Sequence, residues 1–509
     1  MTGWTHGYFA TSGGYTYGTY PETMPSRLWF SSLIQGHVVK RSGFRYLDLG
    51  CGQGFNLVLA ASMHPDSEFV GVDFMPEHVA HGTKLAQEAG ITNVRFIEAD
   101  FMDLAVDPSP LGAPFDYAIA HGITSWVAPA VREAIYAILG KSLTLGGVFY
   151  KSYNTFPGWL PAVPFQHMIA EYQRKSDGHK AFQQAVGLFS ELQSVGAGIF
   201  PALPALKQRI ETASKLDPAY LGQEYGNQFW WPEWVSKVIP QLESHKLTYL
   251  GSATLTEVFE GNYPQNMREL LSKAEDKPIR EQTRDLIVNQ AFRRDLYVKG
   301  SIKTWALSLI EIVGQVRVMA NPFGVEPKEG ESFVFGVGAI EVKGGYESYH
   351  KLLSNTPANA PGITISELAT KLAIRPQEAA MMVTMLLHGG WLCLVNPAAD
   401  AAKKTVSRLT QHLADSVTKG APYRFVSSAT TGAVYPMSEI DLIALEYLSK
   451  HKDLKAAPEY VLDALARLNK QILKEGNPLA EKSDQLDILK EQLKNTELNL
   501  EKWKRLSVV

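Results

Sequence analysis

The chain has 509 residues, 45% hydrophobic and 20% charged, a composition of folded domains rather than disorder, with length for roughly three of them. A formal net charge of −3 excludes any global drive toward nucleic acid or anionic membrane, so such a partner needs a local patch. Two cysteines, Cys51 and Cys393, lack the Cys or His neighbours of a zinc site or disulfide framework and read as buried thiols in a reducing compartment.

Residues 1–6 lack the cationic and apolar parts of a signal peptide, and no apolar run is long enough to cross a bilayer, so a cytoplasmic protein without membrane insertion is expected. From residue 44, short apolar strands alternate with helical stretches, the pattern of a parallel sheet covered on both faces. Strands are expected at 44–49, 68–73, 94–99, 115–120 and 147–152. Ligands of such sheets bind at the carboxyl ends of the strands.

The first strand runs into Gly50, Gly52 and Gly54, with Asp48 before them and Asn56 just after. Glycines let backbone approach a ligand where a Cβ would collide, and the next helix N-terminus can receive a carboxylate. Dinucleotide-binding folds open in a similar way. Asp73 closes the second strand, about twenty residues on, where a carboxylate can accept both hydrogens of a ribose diol; Phe74 follows it. Asp100 closes the third, placed to accept from an adenine amino group while Phe101 packs on the ring. The GxGxG spacing and the third acid favour S-adenosylmethionine (SAM) over a nicotinamide cofactor. The competing role for Asp73 and Asp100 is a solvated loop acid or helix cap. For Asp48 it is a buried acid bonded to loop amides, which is compatible with ligand binding.

The fourth strand leads into His121–Trp126 and the fifth into Lys151–Trp159, both dense in hydroxyl, amide and aromatic groups. So much polar chemistry at adjacent strand ends is costly unless paired or used, which marks Trp126, Asn154 and Trp159 as candidates for substrate contact. Core or lid packing is the alternative for the two tryptophans.

Several segments together are specific: Tyr17-Gly-Thr-Tyr-Pro21, Asp48-Leu-Gly-Cys-Gly-Gln-Gly-Phe-Asn56, His121-Gly-Ile-Thr-Ser-Trp126, Ser152-Tyr-Asn-Thr-Phe-Pro-Gly-Trp159, Tyr220-Leu-Gly-Gln-Glu-Tyr225 and Phe292-Arg-Arg-Asp-Leu-Tyr-Val-Lys-Gly300. Through them nearly the whole chain resembles the class I methyltransferases that carry the methyltransferase regulatory domain. That bacterial family includes the rickettsial protein-lysine methyltransferases acting on outer-membrane protein. The resemblance implies an α/β, Rossmann-like, seven-stranded sheet and SAM as cofactor. It adds Tyr17 and Tyr20 as substrate-side residues, and His121, Tyr153 and Glu224 for orientation or proton handling, with His121 alternatively supporting the adenine or methionine part of SAM. Thr124 stands where the family usually shows an aromatic residue.

Residues 160–215 read as helices broken at Gly178 and Pro201, an insertion that can lie over the substrate opening. An amphipathic stretch at 233–244 and strands at 246–251 and 291–300 would supply a helix and an antiparallel final pair to complete the sheet. The expected divisions are 1–159 as SAM-binding catalytic core, 160–222 as helical lid, 223–300 as regulatory region and 301–509 as C-terminal α+β winged-helix-like domain with terminal helices.

In that last region, 365–372 and 377–388 suggest a helix-turn-helix with a wing at 391–395. The second helix offers Arg375 at its start and then mostly apolar side chains, which favours protein docking or a homodimer over nucleic acid. Its Met381, Met382 and Met385 suit core packing better than an adaptable groove. Leu486, Leu489, Leu493, Leu500 and Trp503 form a stripe interrupted by Thr496, short enough to pack on its own domain.

The expected activity is methyl transfer from SAM to lysine side chains of a protein or peptide, with no metal. Lysine, with a pKa near roughly 10.4, must be desolvated or hand its proton on before it can attack. A small-molecule or glycan acceptor, and a SAM-sensing interaction protein without turnover, are the alternatives.

Overall fold

The computed structural model describes residues 16–176, 178–213, 224–300, 303–451, 453–474 and 477–509. The segment read against a signal peptide, 1–6, and positions 220–223 of the family-like segment lie outside the described residues.

Strands β1 (Arg45–Leu49), β2 (Glu68–Asp73), β3 (Val94–Glu98), β4 (Phe115–His121), β5 (Leu143–Asn154), β6 (Leu247–Ser252) and β7 (Phe292–Lys299) form one seven-stranded sheet in the order β3-β2-β1-β4-β5-β7-β6. The pairs β1–β2, β2–β3 and β4–β5 are parallel, whereas β7 runs antiparallel to both β5 and β6. The final antiparallel pair therefore completes the sheet as expected. Buried on both faces, β1, β2 and β4 are nearly continuous apolar runs, as parallel strands must be.

The chain divides into two compact units. One joins Tyr17–Glu98, and so β1 to β3, with Lys303–Phe333 and Lys343–Val509. Within it the helix Ala399–Val417 packs on Phe55–Met63 and Pro76–Ala89. Asn396 Nδ2 donates to the Met63 carbonyl at 3.0 Å, Arg41 Nη2 to that of Val395 at 2.9 Å, and the Ser62 and Ser427 hydroxyls meet at 2.9 Å. Chain order does not reveal this grouping.

Helices Ile365–Leu372 and Pro376–His388 form where the helix-turn-helix was expected, the first started by a capping box between Thr364 and Glu367. The strand Leu392–Leu394 pairs back onto Arg317–Ala320, whose other edge carries Ile363–Thr364. After this strand Asn396 Oδ1 accepts from Ala398 N at 3.1 Å and the chain turns directly into the Ala399–Val417 helix, and an antiparallel pair, Phe425–Ser427 with Val434–Pro436, comes only beyond it. Met382 and Met385 are buried, with Met381 more exposed, in keeping with core packing. The terminal helix Lys482–Arg505 packs on Glu439–Leu448 and Ala457–Arg467. Thr496 continues its buried stripe rather than interrupting it, because its hydroxyl donates to Asp441 Oδ1 at 2.5 Å.

The other unit spans Ala99–Ile302 with Val334–Val342. Its insertion consists of helices Val163–Gln173, Gly178–Ser194, Ile199–Ala202 and Pro204–Ala213 around a core of Trp159, Phe165, Ile169, Phe189 and Leu206. The expected break at Gly178 holds, but Pro201 lies inside a short helix; the second interruption falls at 195–198, where Gly196 takes φ +69°. Val235, Val238, Ile239 and Leu242 form the buried face of Val235–Ser244, which packs on β6 and on Lys277–Val288. No helix among the described residues is long and apolar enough to cross a membrane.

Candidate active site

The turn after β1 is built from left-handed backbone. Gly50, Gly52 and Gly54 have φ of 77°, 52° and 70°, a region that costs other residues about 1–2 kcal/mol each. The Val72 carbonyl accepts from the amides of Gly50 and Cys51 at 2.7 and 3.1 Å. Asp73 Oδ2 accepts from Gly52 N at 2.9 Å, and Oδ1 from Met75 N at 3.0 Å, with His78 Nδ1 3.2 Å from that oxygen. Gly54 begins the helix Phe55–Met63 without a capping side chain, and a Cβ there would lie 2.5 Å from the Phe96 ring. That helix start thus presents bare backbone, as anion binding requires.

Asp48 is buried beside this turn, and burial, reinforced by the negative charge of Asp73, pushes its carboxyl up to about 8. Two buried acids beside a glycine turn suit a cationic ligand. SAM carries both an ammonium and a sulfonium, so the residues present fit it. Asn56 is occupied differently: its Oδ1 accepts from Tyr20 N and its Nδ2 donates to Thr23 Oγ1, both at 3.1 Å. The side chain therefore tethers the segment entering the first helix. Tyr17 meets His81 edge-on at 5.1 Å and Tyr423 at 5.8 Å, and Phe74 is half-buried after β2.

In the other unit, Asp100 caps Phe101–Val106, its Oδ1 accepting from Met102 N at 2.8 Å, and Phe101 is buried. The cap role weighed from the sequence is thus present. His121 ends β4, its ring parallel to Tyr150 with centroids 6.0 Å apart. The hydroxyls of Tyr150 and Ser152 converge on its Nδ1 at 3.2 and 3.0 Å. Burial, then the positive charge of Arg294, lowers its pKa to about 3, so the imidazole is neutral at neutral pH.

Tyr153 is fully buried and its hydroxyl donates to Asp295 Oδ2 at 2.7 Å. Asp295 in turn pairs with Arg293, which also holds Asp285 and Glu281 at 2.5 and 3.1 Å. Burial, and next the charge of Asp295, raises the Tyr153 pKa well above the ordinary phenol value. Alternation along β5 turns Tyr153, expected for orientation or proton handling, into the interior, where it braces an ion network. Trp159 likewise packs in the insertion core, against Tyr225 and Trp230, with the Arg209 guanidinium 4.3 Å above its ring.

Asn154 and Glu224 do come together. Asn154 Nδ2 donates to Glu224 Oε1 at 3.2 Å, and the Glu224 carbonyl accepts from Trp230 Nε1 at 3.1 Å. Ser125 links the same region, its hydroxyl accepting from Asn154 N and its carbonyl from Trp231 N, each at 2.9 Å. Trp126, the next residue, is half-buried, and Trp231 is 58% exposed.

Sequence reasoning missed the anchor of this region. Glu233, 4% exposed, holds Lys151 Nζ at 2.6 Å, Arg132 Nη1 at 3.3 Å and the Thr124 hydroxyl at 3.0 Å. A lysine inside the apolar strand β5 was the available signal, since a buried ammonium requires a partner.

Residues 40–187 match the family model of a methyltransferase domain, and residues 217–299 one described as a predicted methyltransferase regulatory domain. An uncharacterized protein of Synechocystis is 27% identical over 504 residues, covering 97% of each chain. An uncharacterized protein of Rickettsia prowazekii is 32% identical over 183 residues, 36% of this chain and 72% of that one. Among solved structures, PKMT2 from Rickettsia typhi in complex with AdoHcy superposes with a TM-score of 0.70 at 21% identity, covering 97% of this chain and 99% of that one. With both family models matched in sequence order on this sheet, the chain belongs to the SAM-dependent class I methyltransferases that carry the methyltransferase regulatory domain.

Proposed function

We propose that the acceptor is a lysine side chain of a protein. The observation that carries this is the Glu224–Asn154 pair at the end of β5, next to Ser125 and the tryptophans it joins. A carboxylate is the chemistry that holds an ammonium. The resemblance of the chain's motifs to rickettsial protein-lysine methyltransferases supports the same reading.

SAM supplies an electrophilic methyl group whose thioether leaving group needs no acid. The protein's task is then to align the acceptor, exclude water and receive or release the amine's proton. We assign Asp48 and the turn at Gly50, Gly52 and Gly54 to the methionine part, Asp73 to the ribose, and Asp100 with Phe101 to the adenine. Neutral His121 supports the bound cofactor rather than acting as a strong base. Glu224 and Asn154 orient the amine, with Trp126 and Trp231 along the approach of the chain that bears it. Helices 160–213 serve as lid, 224–300 as regulatory region, and the region from 303 onward docks the protein substrate or a second copy of the chain.

Methyl-labelled SAM with fractionated cell protein, followed by mass spectrometry of peptides, tests this. Label on lysine is expected, with Glu224→Gln lowering turnover at least about tenfold and leaving SAM affinity unchanged. Label on a metabolite or glycan, with none on lysine, refutes it.

A further inference from the structure

The turn after β1 is held by a histidine whose other ring nitrogen meets a residue more than three hundred positions further along the chain. His81, on the helix Pro76–Ala89, places Nδ1 2.6 Å from the Gln53 carbonyl and Nε2 2.9 Å from the Tyr423 hydroxyl. A carbonyl can only accept, so Nδ1 carries the hydrogen, and Nε2 of the neutral ring accepts from Tyr423. Burial lowers the His81 pKa and keeps this form at neutral pH. The Tyr423 ring stacks on Phe55 with centroids 4.9 Å apart and planes 19° apart, while Tyr17 closes edge-on against both partners.

Gln53 lies between Gly52 and Gly54, both at positive φ. Glycine on either side gives that peptide unit wide rotational freedom, and a turn that must be ordered on binding loses affinity to that ordering. A grip on the Gln53 carbonyl removes the freedom in advance. We propose that His81 and Tyr423 are positioning residues for the SAM turn, through which the C-terminal region sets cofactor affinity. The inference rests on SAM as cofactor and is independent of the acceptor.

The test uses the full-length protein and four variants: Tyr423→Phe, His81→Ala, His81→Asn and the double variant Tyr423→Phe/His81→Asn. Binding of S-adenosylhomocysteine is read by calorimetry, and amide hydrogen exchange at 51–55 is read in the ligand-free protein. Tyr423→Phe keeps the stacked ring and is expected to weaken binding about three- to tenfold, with faster exchange confined to the turn. His81→Ala weakens it about tenfold or more; His81→Asn, which restores a donor near the Nδ1 position, recovers part of that, and adding Tyr423→Phe to it changes nothing further. Turnover at saturating SAM stays within about twofold of the unmodified protein, because the grip acts on the empty turn. Unchanged affinity and turn exchange in Tyr423→Phe overturns the proposal, and that variant decides even if His81→Ala does not fold. Weaker binding accompanied by faster exchange throughout the protein also overturns it, since that marks general destabilisation.

Discussion

Replacing Glu233 by Gln removes a carboxylate that holds Lys151 and Arg132 at 2.6 and 3.3 Å. Lys151 is fully buried and Arg132 is 6% exposed, so neither cation can turn to water. Breaking a buried pair from one side costs about 3–5 kcal/mol. Lys151 has an alternative, to lose its proton, but from an ordinary lysine pKa that costs about 5 kcal/mol at pH 7, so both routes lead to a similar loss. Burial already holds the Lys151 pKa below the usual lysine value despite Glu233, and without that carboxylate it falls further. The folded variant then sheds this proton at a pH where the unfolded chain still holds it. Between the two pKa values the unfolded chain binds more protons, so the variant's stability rises with pH above the lowered folded pKa toward roughly 10, and its deficit against the unmodified protein narrows. Urea unfolding followed by tryptophan fluorescence at pH 7 and pH 9 measures both effects. Adding Lys151→Met should recover at least about 1 kcal/mol, as expected for residues coupled through direct contact. A loss under about 1 kcal/mol, or a deficit independent of pH, would refute the buried-cation reasoning. Turnover should fall as well, because the Thr124 hydroxyl that Glu233 accepts lies in the loop after β4.

Gly54→Ala places a methyl group 2.5 Å from the Phe96 ring at φ +70°, and should weaken SAM binding at least tenfold by calorimetry. Between pH 6 and 7, binding of SAM should release close to one proton, because Asp48 begins protonated, with a pKa of about 8, and ionises to meet a cation; calorimetry in two buffers of different ionisation enthalpy counts it. His64 is buried between aromatic rings, with neither ring nitrogen hydrogen-bonded among the described residues, and burial lowers its pKa to about 4. The unfolded chain therefore gains a proton below pH 6.5 that the folded one refuses until pH 4, which removes about 3 kcal/mol of stability across that window. His64→Phe should flatten the change in urea midpoint over the same range.

The motifs near the start of the chain were legible because backbone geometry wrote them. Three alternate positions needing φ near +60° admit glycine, and strands buried on both faces demand apolar runs, so the turn and strands β1, β2 and β4 could be read closely, whereas β5 starts four residues before and ends two residues after the expected 147–152. The final antiparallel pair was legible through the family-like segments. Side-chain direction was harder. Tyr153 and Asn154 are neighbours in sequence, yet one braces Asp295 inside the sheet while the other meets Glu224, a difference set by strand alternation and by what packs on each face. Asn56 and Trp159 have the residue types of a binding site, and the structure shows the first in a tether to Tyr20 and the second in the insertion core, the packing role weighed for it from the sequence.

Sequence alone determined a glycine turn, acids at successive strand ends and a sheet to hold them, all encoded within short stretches of chain. Only the tertiary structure decided which distant groups support that turn. Glu233 reaches Lys151 across 82 positions and Tyr423 reaches His81 across 342, and no local pattern records such pairs. A buried charge or an unpaired carbonyl states that a partner is needed, while the identity of the partner depends on packing between segments that chain order leaves far apart.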